Sequence, residues 1–168
     1  NDSDLLDNCH WTVRRPDETA YDVSGGALHL TARPGEYNDT PNIITQDAPD
    51  GAWTATTKLT WDPTEGGQQA GLVVAGSGGS GFAKVTFVDK GNNNEWIEFL
   101  KSSSPSNNDF EFTGNWNTGG GSFDGPFLPG DFPSTFWLRF TSDGSQLRGW
   151  YSTDGEEFTQ VGDPRTLA

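Results

Sequence analysis

The residues best equipped for chemistry are Trp96, Glu98, Lys84, Gln69, Arg139 and Trp137 on strand-like segments, with Trp116 in a long loop. Indole faces stack on the axial C–H bonds of sugar rings, while carboxylates, amides and cations hold sugar hydroxyls. That mixture equips a surface to bind carbohydrate. Cleaving a glycosidic bond needs more: two carboxyl groups about 5–5.5 Å apart for retention or about 6.5–9.5 Å for inversion. Same-face positions i and i+2 of a strand lie roughly 6.5–7 Å apart, so Glu-x-Asp-x-Glu is the economical arrangement. The chain contains no such triplet. Glu95 and Glu98 differ by three and point to opposite faces, and Glu156-Glu157 follow a turn as solvated charge. Asp109 and Glu111 have the right parity but flank loop aromatics. No residue is assigned a catalytic role.

Other reactive groups are sparse. His10 and His29 stand apart and no Ser-His-Asp set accompanies them. Gly76 to Gly81 is Gly/Ser only, with no helix or Lys to follow, and reads as a hairpin turn rather than a phosphate cradle. The single Cys9 can form neither an internal disulfide nor a Cys-rich zinc site.

The elements that position these residues are strands. No window repeats apolar positions at helical spacing. The clearest strand is Trp53 to Trp61, with Trp53, Ala55, Thr57, Leu59 and Trp61 on one face and Thr54, Thr56, Lys58 and Thr60 on the other. Further strands are expected at His10–Arg14, Ala27–Ala32, Asn42–Gln46, Gln69–Ala75, Phe82–Val88, Glu95–Leu100, Thr135–Thr141, Gln146–Ser152 and Glu157–Val161. Asp143-Gly144 and Asp154-Gly155 fit tight hairpin turns. The pattern predicts an all-β fold, a two-sheet antiparallel β-sandwich of jelly-roll type.

Placing the more apolar register of each strand inward sends Ala83, Val85 and Phe87, Ile97 and Phe99, and Phe136, Leu138 and Phe140 to the core. Lys84, Trp96, Glu98, Trp137, Arg139 and Trp150 are left outward, as if lining one groove on a bent sheet. From Ser102 to Ser134 runs a Ser/Asn/Gly/Pro-rich loop carrying Phe110, Phe112, Trp116, Phe123, Phe127 and Phe132. Loops of that length are usually functional or disordered, and the aromatics favour one packed on the sandwich, with a short hairpin at Phe110–Thr113.

Composition bounds the rest. The chain has 168 residues, 10 Lys+Arg against 24 Asp+Glu, and a formal charge of −14. This length fits a single domain over 1–168. The charge argues against nucleic-acid phosphates and anionic membranes as partners, since both need clustered cations. No apolar run is long enough to form a membrane-spanning helix. With 7 Trp, 3 Tyr and 11 Phe the composition is the opposite of a disordered one. Met is absent, so the chain reads as a processed product or a piece excised from a larger protein.

Several segments, taken in order, resemble a known family. They are His10-Trp11-Thr12-Val13-Arg14-Arg15-Pro16-Asp17, Gly25-Gly26-Ala27-Leu28-His29-Leu30, Asn42-Ile43-Ile44-Thr45-Gln46-Asp47-Ala48-Pro49 and Gln69-Ala70-Gly71-Leu72-Val73-Val74. Ala83-Lys84-Val85, Trp96-Ile97-Glu98-Phe99 and Tyr151-Ser152-Thr153-Asp154-Gly155-Glu156-Glu157-Phe158 continue the series. They resemble concanavalin A-like jelly-roll domains of the kind appended to family 43 glycoside hydrolases. The resemblance implies a two-sheet lectin-like sandwich of a secreted protein that binds an oligo- or polysaccharide or supports an adjacent catalytic domain. A non-catalytic carbohydrate-binding module is the first reading, and a glycosidase or lyase in its own right the weakest. It implies no required cofactor, although a structural calcium is common in such domains. Relatives usually open with an Asp-x-Phe strand, whereas here only Asp2-Ser3-Asp4-Leu5-Leu6-Asp7 precedes Trp11.

Overall fold

A computed structural model describes residues 11–35, 39–76, 81–91, 95–102, 128 and 131–166, and the backbone of 110–111. These fall in two compact units, Asn1–Pro49 and Asp50–Ala168. Every strand pair in both is antiparallel, and no helix occurs among the described residues.

Among its described residues the first unit holds four short strands: β1 (Thr12–Arg14), β2 (Tyr21–Ser24), β3 (Ala27–Leu30) and β4 (Ile43–Thr45). β1 pairs with β4, and β2 with β3. Strand β2 was not expected from the sequence. It exists because Gly25 and Gly26 both take positive φ, at 59° and 76°, which is the two-residue turn that matches hairpin twist. Buried Asn42 ties the other pair together: its Oδ1 accepts the Asp17 N–H at 2.7 Å and its Nδ2 donates to the Asp17 carbonyl at 3.0 Å.

The second unit is two four-stranded sheets. One has the order β12-β11-β10-β5, from β5 (Ala52–Thr60), β10 (Thr135–Asp143), β11 (Leu147–Ser152) and β12 (Thr159–Arg165). The other has the order β6-β7-β8-β9, from β6 (Gln69–Ala75), β7 (Phe82–Asp89), β8 (Glu95–Ser102) and β9 (Phe110–Glu111). Both send apolar side chains into one core, with the inward register expected from the alternation. Phe99 of β8 meets Phe140 of β10 edge-on, with centroids 5.8 Å apart, and Phe87 stacks on Phe136 at 5.4 Å. Phe99, Phe136 and Phe140 are 0–1 % exposed, and each such burial stabilises by about 1.5–3 kcal/mol.

Two other expectations shift. The last strand starts at Thr159 rather than Glu157, because the Asp154 carboxylate holds the Glu156 and Glu157 N–H groups in the preceding turn at 2.8 and 3.0 Å. β9 pairs back onto β8, Lys101 opposite Glu111, rather than forming a separate hairpin. Most of the 102–134 loop lies outside the described residues, but Leu128 and Phe132 do pack on the core. Phe132 lies 5.3 Å from Phe136 between centroids.

Candidate functional site

The outward residues do not line one groove; they divide between the outer faces of two different sheets. Inward alternation is common to all strands, so a single-strand reading cannot tell which sheet each belongs to. Gln69, Lys84, Trp96 and Glu98 share the outer face of β6-β7-β8. Trp137 and Arg139 lie on β10 of the other sheet. Trp116 and Asp109 lie outside the described residues.

On β6-β7-β8 the polar groups converge on Glu98. Lys84 Nζ lies 2.7 Å from its Oε1, and the Thr86 hydroxyl donates to the same oxygen at 3.3 Å. Trp96 Nε1 donates to Oε2 at 3.3 Å. Lys84 also donates to Gln69 Oε1 at 2.6 Å, reaching past the side-chain-free Gly71. Around Glu98 this face is closed, with Trp96 4 % exposed and Glu98 3 %, whereas Gln69 at its β6 margin is exposed. Trp96 is therefore not an open stacking platform, because its indole is a buried donor to a carboxylate. Buried charges must be paired and hydrogen-bonded, and this set meets that requirement from its own side chains.

The outer face of β5-β10-β11 is open. Register places Lys58 opposite Trp137, and Thr56 opposite Arg139, which in turn faces Trp150. The Arg139 guanidinium carbon lies over Phe158, 3.4 Å from the ring centroid, and its Nε donates to Thr56 Oγ1 at 2.9 Å. Lys58 Nζ is 5.2 Å from the Trp137 ring centroid, a cation–π separation. Trp150 is half-buried and donates Nε1–H to Thr141 Oγ1 at 3.0 Å. Gly155 has φ +82°, and a Cβ there would come within 2.9 Å of Trp137 Cε2, so the β11-β12 turn fits against the indole only as glycine. The arrangement offers two half-buried indoles beside a guanidinium whose Nη groups have no partner among the described residues.

Lys58 and Phe158 were not singled out as site residues by the sequence. Lys58 sat in a row of threonines that read as a plain solvated face, and Phe158 followed a charged turn. Only the register, which brings β5 and the Phe158 segment to β10, reveals them.

Among the described residues no group of three or more His, Cys, Asp or Glu side chains is placed to hold a metal ion. Asp2, Asp4 and Asp7 lie outside the described residues. Glu98 has the Lys84 ammonium, 2.7 Å away, as its ion-pair partner.

No curated protein matches the chain. A family model described as the beta xylosidase C-terminal concanavalin A-like domain matches residues 2–167, and the all-strand antiparallel architecture agrees with it. The resemblance read from the ordered motifs is thus borne out, and with it the concanavalin A-like β-sandwich. The chain belongs to the beta xylosidase C-terminal concanavalin A-like domain family.

Proposed function

We propose that this chain is a non-catalytic carbohydrate-binding domain of a secreted, polysaccharide-active protein, and that it holds glycan on the outer face of β5-β10-β11. The carrying observation is the Trp137–Arg139–Trp150 group: two indoles and a fixed guanidinium on a sheet face open to solvent. Indoles supply C–H stacking, and the Nη groups supply donors for ring hydroxyls. Membership of a family of sugar-active proteins supports this reading. Affinity electrophoresis on xylan, arabinan, galactan, fructan and β-glucan tests it. The expected result is retardation on at least one gel, lost in Trp137→Ala. No retardation on any, with an unchanged Trp fluorescence spectrum, overturns it.

A second reading is an accessory domain that docks on an adjacent catalytic domain. The specific observation is on β3, where Leu28 and Leu30 share one side and are 41 % and 49 % exposed. Under this reading Leu28→Ser/Leu30→Ser weakens association with the catalytic domain and leaves glycan retardation unchanged.

A further inference from the structure

We propose that the glycan bound on the β5-β10-β11 face is acidic, with a uronate carboxylate received between Arg139 and Lys58. This rests on the carbohydrate-binding reading and specifies the chemical class of its ligand.

The chain carries 24 Asp+Glu against 10 Lys+Arg, so acids are available to pair every cation. Arg33, Lys84 and Arg148 do pair, with Asp17, Glu98 and Asp143 at 3.2, 2.7 and 2.9 Å. Arg139 and Lys58 do not. Arg139 is engaged by the Thr56 hydroxyl and the Phe158 ring, and Lys58 by the Trp137 ring; no carboxylate among the described residues reaches either. Of the acids in the neighbouring turns, Asp143 is held by Arg148 and Asp154 caps its own turn. Among the described residues, these two cations stand free of acid on one face of a strongly acidic molecule.

Geometry matches the charge. Lys58 lies directly opposite Trp137, so it is the diagonal neighbour of Arg139, about 7–8 Å away between backbones. Both side chains are long enough to converge on one carboxylate. Stacking on Phe158 and the Nε bond to Thr56 fix the guanidinium plane beforehand, which reduces the entropy lost on binding. Its remaining Nη groups present the fork that carboxylates accept. Trp137 and Trp150 flank it to stack the pyranose rings.

The test uses the whole chain and one oligosaccharide in two forms: a glucuronic-acid-substituted xylo-oligosaccharide and its carboxyl-reduced derivative, compared by titration calorimetry at low salt. The native acid is expected to bind about tenfold or more tightly than the reduced form, with the difference shrinking as salt rises. Lys58→Gln, at an exposed position where folding is not at stake, is expected to bring the two affinities together. Equal affinities for the two forms in the wild-type chain overturn the charge assignment and leave the carbohydrate-binding reading standing. No binding of either form overturns the uronate assignment, and the gel panel then decides the carbohydrate-binding reading separately.

Discussion

Lys84 Nζ lies 2.7 Å from Glu98 Oε1 on a sheet face where the Glu98 side chain keeps 4 % of its exposure. The carboxylate has given up water and accepts hydrogen bonds from Thr86 and Trp96 instead. A pair so placed organises its face but is not open to a ligand, which moves the binding question to the opposite sheet.

Removing one member strands the other. Lys84→Met is expected to lower the unfolding free energy by about 2–3 kcal/mol, below the full cost of a wholly buried pair because Lys84 keeps 18 % exposure. Lys84→Met/Glu98→Leu should lose less than Lys84→Met alone, since no orphaned charge remains. Urea titration of the four proteins of the cycle measures this. A double variant as unstable as the sum of the singles would remove the pair as an energetic unit.

Acid sensitivity belongs to the turns. The Arg148 guanidinium, then the Gln146 N–H, hold the Asp143 carboxyl well below its ordinary value of 3.8, and the Glu156 and Glu157 N–H groups lower that of Asp154. Groups depressed in the folded state add stability that is complete above the unfolded value and lost as pH falls through the folded one. The thermal midpoint is expected to be insensitive to these two groups above about pH 5 and to fall below pH 4. Asp143→Asn should be less stable at pH 7 and show a shallower acid limb. An unchanged acid limb would contradict this assignment.

Gly155 joins stability to the site. With φ at +82° and the Trp137 ring against it, Gly155→Ala meets both backbone strain and a clash. A loss of about 1–3 kcal/mol is expected, with a shifted Trp137 indole resonance. Gly144→Ala is the comparison: its φ is +91° but its nearest contact is 3.5 Å, so it should cost less and leave Trp137 in place.

Much of the fold could be read from alternation. The inward choice of Phe136, Leu138 and Phe140, and of Ile97 and Phe99, follows from period two within each strand, and the structure keeps it. Pairing across strands is not written in that period. Arg139 and Glu98 look alike as outward polar residues, yet one is stacked in the open on Phe158 and the other closed off against Lys84. Strand β2 was missed for a related reason. Tyr21-Asp22-Val23-Ser24 is too short to show a pattern, and only the paired positive φ of Gly25 and Gly26 makes it a hairpin.

The most direct test of the central claim is a map of the Trp side-chain N–H resonances of ¹⁵N-labelled protein during titration with a glycan that retards it, or with the native acidic xylo-oligosaccharide. Binding on the β5-β10-β11 face predicts that the Trp137 and Trp150 indole signals move together with ligand concentration while Trp96 stays fixed. Movement of Trp96 with Trp137 and Trp150 unmoved would place the ligand on the other sheet and contradict the account.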